Sequence, residues 1–165
     1  MELPRPLLRI LGNFYPAYLF GRTVVHSISP DWREIVVVIK KSLWNRNYVG
    51  TIFGGTLYAA ADPFLMIMLI KILGIKDYII WDKGAEIDFK KPGRSDITFR
   101  FRITDADLRR IKNGLKKSPK IVPEFLVEGV DAQGDVCVTV KKKIYIRRKD
   151  SLSGRTESKK TGTRR

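Results

Sequence analysis

The chain predicts an α+β domain in which an antiparallel sheet is wrapped around one long central helix. Three observations predict it. Residues 51–73 form a single long apolar run that stops at Gly74. Five or more short segments around that run are rich in β-branched residues or alternate apolar with polar, most clearly in Thr98-Phe-Arg-Phe-Arg-Ile, as half-buried strands do. Short turn signals such as Ser29-Pro-Asp-Trp and Asp131-Ala-Gln-Gly separate neighbouring segments, which suits hairpins.

In chain order, residues 6–19 place Leu7, Leu8, Leu11, Phe14 and Tyr15 at helical spacing, with Gly12 and Pro16 as interruptions, so a short broken helix packed on the domain is expected. Residues 22–29 and 34–42 read as a hairpin. The central helix follows, with Pro63 removing one backbone donor and bending it. That bend either orients Asp62 or lets a long helix follow a curved sheet. Strands are expected over 78–81, 85–90 and 96–104, the last two separated by Lys91-Pro-Gly-Arg. Residues 105–117 carry Leu108, Ile111 and Leu115 on one narrow stripe of a charged helix, with Asp105 as its cap. Two further strands cover 123–130 and 135–147.

With 165 residues, 44% of them apolar, the chain supplies one substantial core and one domain, residues 1–148, with residues 1–20 as the N-terminal helical segment. A basic tail, residues 149–165, follows. The net charge of +15 is uneven: from residue 147 onward eight Lys or Arg stand against Asp150 and Glu157. Such a tail is either solvated or drawn to membrane phosphates, RNA or an acidic partner. No zinc spacing, helix-turn-helix pattern or aromatic RNA-binding signature accompanies the charge, so no specific nucleic acid is expected. A single cysteine, Cys137, in a strand-like run and a single histidine, His26, exclude a disulfide framework and a multi-histidine metal site.

The central run is long enough to resemble a membrane span. Asp62 and Pro63 at its middle and Gly54-Gly55 near its start argue for a buried core helix instead, and no transmembrane segment is expected. Arg9 splits the apolar N-terminus, so no signal-peptide core is read there and cytoplasmic residence is the default.

Asp62 is the candidate for chemistry. Between Val49 and Ile70 the only ionisable side chains are Tyr58 and Asp62. A carboxylate kept in apolar surroundings is either paired or used, and desolvation raises its pKa toward values suited to proton transfer. Gly54 opens the helix, where unpaired backbone N–H groups hold negative oxygen and the lack of a side chain lets a substrate come close. Asp62 stands eight residues on, roughly 12 Å along an ideal helix. One helix cannot readily aim both groups at one carbonyl, whereas two antiparallel helices across a twofold axis do, so a homodimer is expected to complete the site.

The spacing Asn47, Phe53-Gly54-Gly55 and Asp62 resembles that of the hotdog-fold acyl-CoA thioesterases of the phenylacetate-pathway type. Asp62-Pro-Phe, Trp81-Asp-Lys and Phe89-Lys-Lys-Pro-Gly-Arg are similar to an uncharacterised branch of that superfamily carrying Phe-Gly-Gly in place of His-Gly-Gly. The resemblance covers about residues 7–147 and implies a hotdog fold. It further implies hydrolysis of an acyl-CoA or acyl-carrier thioester, no cofactor beyond the coenzyme A moiety of the substrate, and a homodimer or dimer of dimers. Asp62 inherits the general-base or nucleophile role. Asn47 is placed to position water or the carbonyl, and Gly54 to hold the oxyanion. Phe53, Gly55, Tyr58, Lys83, Lys90 and Arg94 are the substrate-binding candidates, the cations among them toward coenzyme A phosphates. Phe53 is the departure: its ring offers shape and apolar contact where the family has an imidazole. Phe64, Met66, Met68 and Leu69 serve as core or as acyl pocket. The competing reading is an acyl-CoA or lipid binder without turnover.

Overall fold

The computed structural model describes residues 4–149. The expected tail lies outside the described residues from 150 onward. Two short helices come first, α1 (Arg5–Phe14) and α2 (Pro16–Gly21), broken at Tyr15, after which Pro16 opens the second helix. The strands β1 (Thr23–Ile28) and β2 (Glu34–Ile39) form the expected hairpin. The central helix follows in two parts, α3 (Gly54–Ala60) and α4 (Phe64–Leu73). The remaining elements are β3 (Tyr78–Phe89), β4 (Ile97–Arg102), α5 (Asp105–Lys117), β5 (Lys120–Ile121), β6 (Glu124–Val130) and β7 (Val136–Arg148).

The strands make one antiparallel sheet in the order β1-β2-β4-β6-β7-β3, with β5 pairing the far end of β7. This is the α+β arrangement the sequence predicts: Leu57, Ala60, Phe64, Leu65, Met68 and Leu69 of the central helix are buried in one core with Ile35, Phe99, Phe101, Val140 and Ile144 of the sheet. Gly54–Leu73 is long and apolar enough to cross a bilayer, and in this chain it serves as the core helix.

Three local expectations are corrected. The segments 78–81 and 85–90 are one strand, because Lys83 bulges out and pairing with β7 resumes at Gly84. Helix α5 is capped by Thr104, not Asp105: the Thr104 side chain accepts from the Asp107 amide and the Asp107 carboxylate accepts from the Thr104 amide. The central helix does not run on through Pro63. The Ala59 carbonyl, which a proline cannot reach as donor, takes the Asp62 amide at 3.2 Å instead, and the chain leaves the helical path before Phe64 restarts it.

Candidate functional site

The break in the central helix sets the site. Asp62 lies within it, facing the sheet rather than continuing a helical face. Its Oδ1 accepts from Nζ of Lys142 on β7 at 2.7 Å, and the Tyr18 hydroxyl of α2 donates to its backbone carbonyl. Lys142 is 1% exposed and is also 2.8 Å from Asp82 Oδ1 on β3. That second contact is an ionic one without hydrogen-bond alignment, since Asp82 Oδ1 is buried and lacks a hydrogen-bond partner among the described residues.

The local sequence explains how a lysine comes to be there. Alternation along β7 turns Val138, Val140, Lys142, Ile144 and Ile146 to the core face, all buried. An ammonium among those side chains is tolerable only with counter-charges, and the two aspartates supply them. Burial alone pulls the Lys142 pKa down; the hydrogen bond it donates to Asp62 and the Asp82 carboxylate outweigh it, and the ammonium is held above the ordinary lysine range. Burial pushes the Asp82 carboxyl up, Lys142 opposes this, and the neighbouring Asp62 charge adds to the rise. Burial, with Asp62 second, keeps the Tyr18 phenol well above its usual value, so it remains a donor.

Of the two readings of Asp62, an acid that is paired or one that is used, the structure shows the pairing, with a partner on a distant strand; the wholly apolar surroundings are corrected, since the side chain is 49% exposed. The more buried carboxylate on Lys142 is Asp82, at 20% exposure, and burial raises its pKa. Asp62 does line an apolar cavity of about 500 Å³, whose other walls include Leu8, Leu11 and Tyr15 of the N-terminal segment and Pro63, Phe64 and Ile67 of the central helix. Of the residues weighed as acyl pocket, Phe64 lines this cavity, whereas Leu69 and Met68 are buried in the core.

Asn47, Gly54, Lys90 and Arg94 come together elsewhere, around a second cavity of about 410 Å³ that Phe89 also lines. The Phe89 ring stands over the helix entry: a Cβ on Gly54 would be 2.9 Å from its Cζ. Asn47 is engaged in its own loop, its Oδ1 accepting from the Thr51 amide at 3.0 Å and its Nδ2 donating to Thr51 Oγ1 at 2.9 Å. Lys90 pairs with Asp88, while Arg94 makes no ion pair among the described residues. Phe53, Gly55, Tyr58 and Lys83 line neither cavity. The exposed Phe53 ring folds back over Gly55, where a Cβ would be 2.3 Å from Phe53 Cε1. His26 lies exposed on β1. Within one chain, then, the helix entry and the acid face different cavities.

Lys142, Tyr18 and Asn45 escaped the sequence reading, which held Asp82 only as part of the Trp81-Asp-Lys motif. Asn45 is buried and its amide donates to the carbonyls of Gly21 at 2.8 Å and Lys40 at 2.9 Å, fixing the loop before the central helix to the end of α2.

A core helix packed on an antiparallel sheet in this strand order defines a hotdog fold. The chain belongs to the family described as a domain of unknown function, DUF4442, which matches residues 7–146. A Pseudomonas aeruginosa protein of unknown function, described as a probable thioesterase, superposes with a TM-score of 0.76 at 18% identity over 90% of this chain and 98% of its own. Thioesterase HI1161 of Haemophilus influenzae gives 0.62 at 11% identity over 90% and 93%. The Escherichia coli PaaI protein, from the phenylacetic acid degradation operon, gives 0.53 at 15% identity over 83% and 92%. At these identities the likeness establishes the fold. No curated protein matches the sequence.

Proposed function

We propose that the protein hydrolyses an acyl-CoA or acyl-carrier thioester as a homodimer, with Asp62 as general base. The observation that supports this best is the placement of Asp62: half-exposed on the wall of an apolar cavity large enough for an acyl chain, with its charge anchored from behind by a buried lysine. In the proposed reaction Asp62 takes a proton from water as the water oxygen bonds to the thioester carbon. Collapse of the tetrahedral intermediate then breaks the carbon–sulfur bond, and the leaving thiolate takes that proton. Lys142 holds the Asp62 carboxylate in place through a 2.7 Å contact.

The oxyanion falls to the amides at the partner's Gly54, since in one chain that entry opens to the other cavity. A second copy has a place to dock: β3 is an edge strand of 12 residues with β7 as its pairing neighbour, and Trp81, Phe89, Phe53 and Tyr58 leave apolar surface exposed. Arg94 at the mouth of the Gly54 cavity suits a coenzyme A phosphate, with Lys90 as a second cation.

The test is thiol release from a panel of acyl-CoA substrates by wild type and Asp62→Asn. Loss of about 10²-fold or more in the variant, with the melting temperature and oligomeric mass retained, is the expected result. Equal turnover by both removes Asp62 from the chemistry. The second reading, binding without turnover, is favoured by Phe53 standing where the resembling family has histidine. It wins if no thiol appears while an acyl-CoA raises the melting temperature.

A further inference from the structure

Helix α1 carries a broad apolar face: one side of it lines a cavity, with Leu11 and Tyr15 still 49% and 59% exposed, and the other side is turned to solvent. Leu8, Leu11, Gly12 and Tyr15 line the Asp62 cavity. Leu7, Ile10 and Phe14, spaced three and four apart, form the solvent-facing side, exposed by 39%, 51% and 70%. Leu19 and Phe20 of α2 continue the exposed apolar surface. No residue of α1 is fully buried.

Cations outnumber acids around this surface. Residues 4–30 contain Arg5, Arg9 and Arg22 and no acidic residue, and none of the three arginines makes an ion pair among the described residues. The loop that Asn45 ties to the end of α2 adds Lys41 and Arg46 with exposed Trp44 and Tyr48; the acids beside these segments are Asp96, which pairs with Lys40 and accepts from the Lys41 amide, and Asp62, which is held by Lys142. Aromatic rings amphipathic enough for a headgroup layer, aliphatic side chains between them and unpaired cations beside them are the composition of a bilayer-surface helix.

A second copy of the chain is the competing occupant, and the position of α1 counts against it. Helix α1 packs on β1, where Asn13 Oδ1 accepts from the Val25 amide at 2.7 Å, and β1 is the opposite edge of the sheet from β3, the strand offered above for dimerisation. Like-charged arginines would also face each other across a twofold axis.

We propose that the outer face of α1 and α2 docks on a lipid bilayer carrying anionic headgroups. Leu7, Ile10 and Phe14 enter the acyl boundary while Arg5 and Arg9 meet phosphate. The same helix roofs the Asp62 cavity with its other side, so docking brings that cavity to the membrane surface. The proposal does not depend on hydrolysis of any thioester.

The test is cosedimentation of the full chain with vesicles of phosphatidylcholine alone and of phosphatidylcholine with phosphatidylglycerol, alongside the double variant Ile10→Ser with Phe14→Ser. The variant keeps every charge, including those of the C-terminal tail. Wild type is expected to sediment with the anionic vesicles and to be released at high salt, and the variant to bind at least about tenfold more weakly at unchanged melting temperature. Arg5→Gln with Arg9→Gln weakens binding to the anionic vesicles in the same way. Failure of wild type to bind, or equal binding by the Ile10/Phe14 variant, overturns the proposal, the latter assigning any attraction to charge elsewhere. A drop in oligomeric mass in the variant by ultracentrifugation also overturns it, in favour of a second copy on this face.

Discussion

Lys142 Nζ lies between Asp62 Oδ1 at 2.7 Å and Asp82 Oδ1 at 2.8 Å, so one buried ammonium joins the break of the central helix to two strands of the sheet. Removing one member of such a cluster leaves the others without compensation. Lys142→Met is expected to cost roughly 3 kcal/mol, the low end for a broken buried pair because Asp62 is half in water. Adding Asp82→Asn to Lys142→Met should restore about 1 kcal/mol or more, since the stranded buried charge is then gone. Urea unfolding of wild type, the two single variants and the double variant measures both effects. Additive losses would mean that the two groups do not act as a pair.

The same cluster shows how far the sequence could be read. The sheet, the central helix and the position of the acid follow from apolar periodicity and turn residues, which act over a few positions. The partner of Asp62 lies 80 residues away, and nothing local to Asp62 announces it. A signal was nevertheless present in β7: alternation through Val138, Val140, Ile144 and Ile146 puts Lys142 on the apolar face, and a lysine in that position requires an acid opposite. Thr104 was legible too, as a Thr with Asp three residues on. The continuity of β3 was not, because a bulge at Lys83 breaks the alternation without breaking the strand. The separation of Gly54 from Asp62 follows from their eight-residue spacing, but the lining of the Asp62 cavity by the N-terminal helices does not, because those contacts are remote in sequence.

Asp82 predicts a pH dependence. Burial raises its folded-state pKa above the ordinary 3.8, so the folded protein holds this proton more tightly than the unfolded chain. Its contribution to stability is therefore greatest below about pH 3.8 and is lost as pH rises through the raised folded value. Asp82→Asn removes that slope. The difference in melting temperature between wild type and variant, followed upward from acid pH, should change in the direction of a relatively more stable variant. A constant difference across the range would deny the raised acid.

Thr104 makes a reciprocal cap with Asp107 at the start of α5, a helix whose buried contacts are Ile111 and Leu115. Thr104→Ala leaves the Asp107 amide to water and should cost about 1 kcal/mol. Asp105→Ala, by contrast, removes only an exposed ion pair with Arg33 and should cost markedly less. Thermal unfolding of the two variants side by side distinguishes them, and a reversed order would return the cap to Asp105.

Two glycines meet side chains just as closely and should respond differently to alanine. At Gly129 a Cβ would be 2.6 Å from Val138 Cγ1 and 2.7 Å from Phe99 Cζ, both core residues with no exposed surface. Neither can retreat without displacing its own neighbours, so Gly129→Ala should destabilise by about 3 kcal/mol. At Gly54 the obstacle is the half-exposed Phe89 ring, 2.9 Å from the new carbon, which can swing toward solvent. The stability cost of Gly54→Ala should stay under about 1 kcal/mol, partly offset by alanine's higher helix propensity. Its effect belongs to the site: the methyl and the displaced ring occupy the approach to the α3 amides. Under the proposed function, thiol release should fall about tenfold or more while the melting temperature barely moves. A large loss of stability at Gly54 would mean that Phe89 is locked in place, and unchanged turnover would remove the helix entry from the reaction.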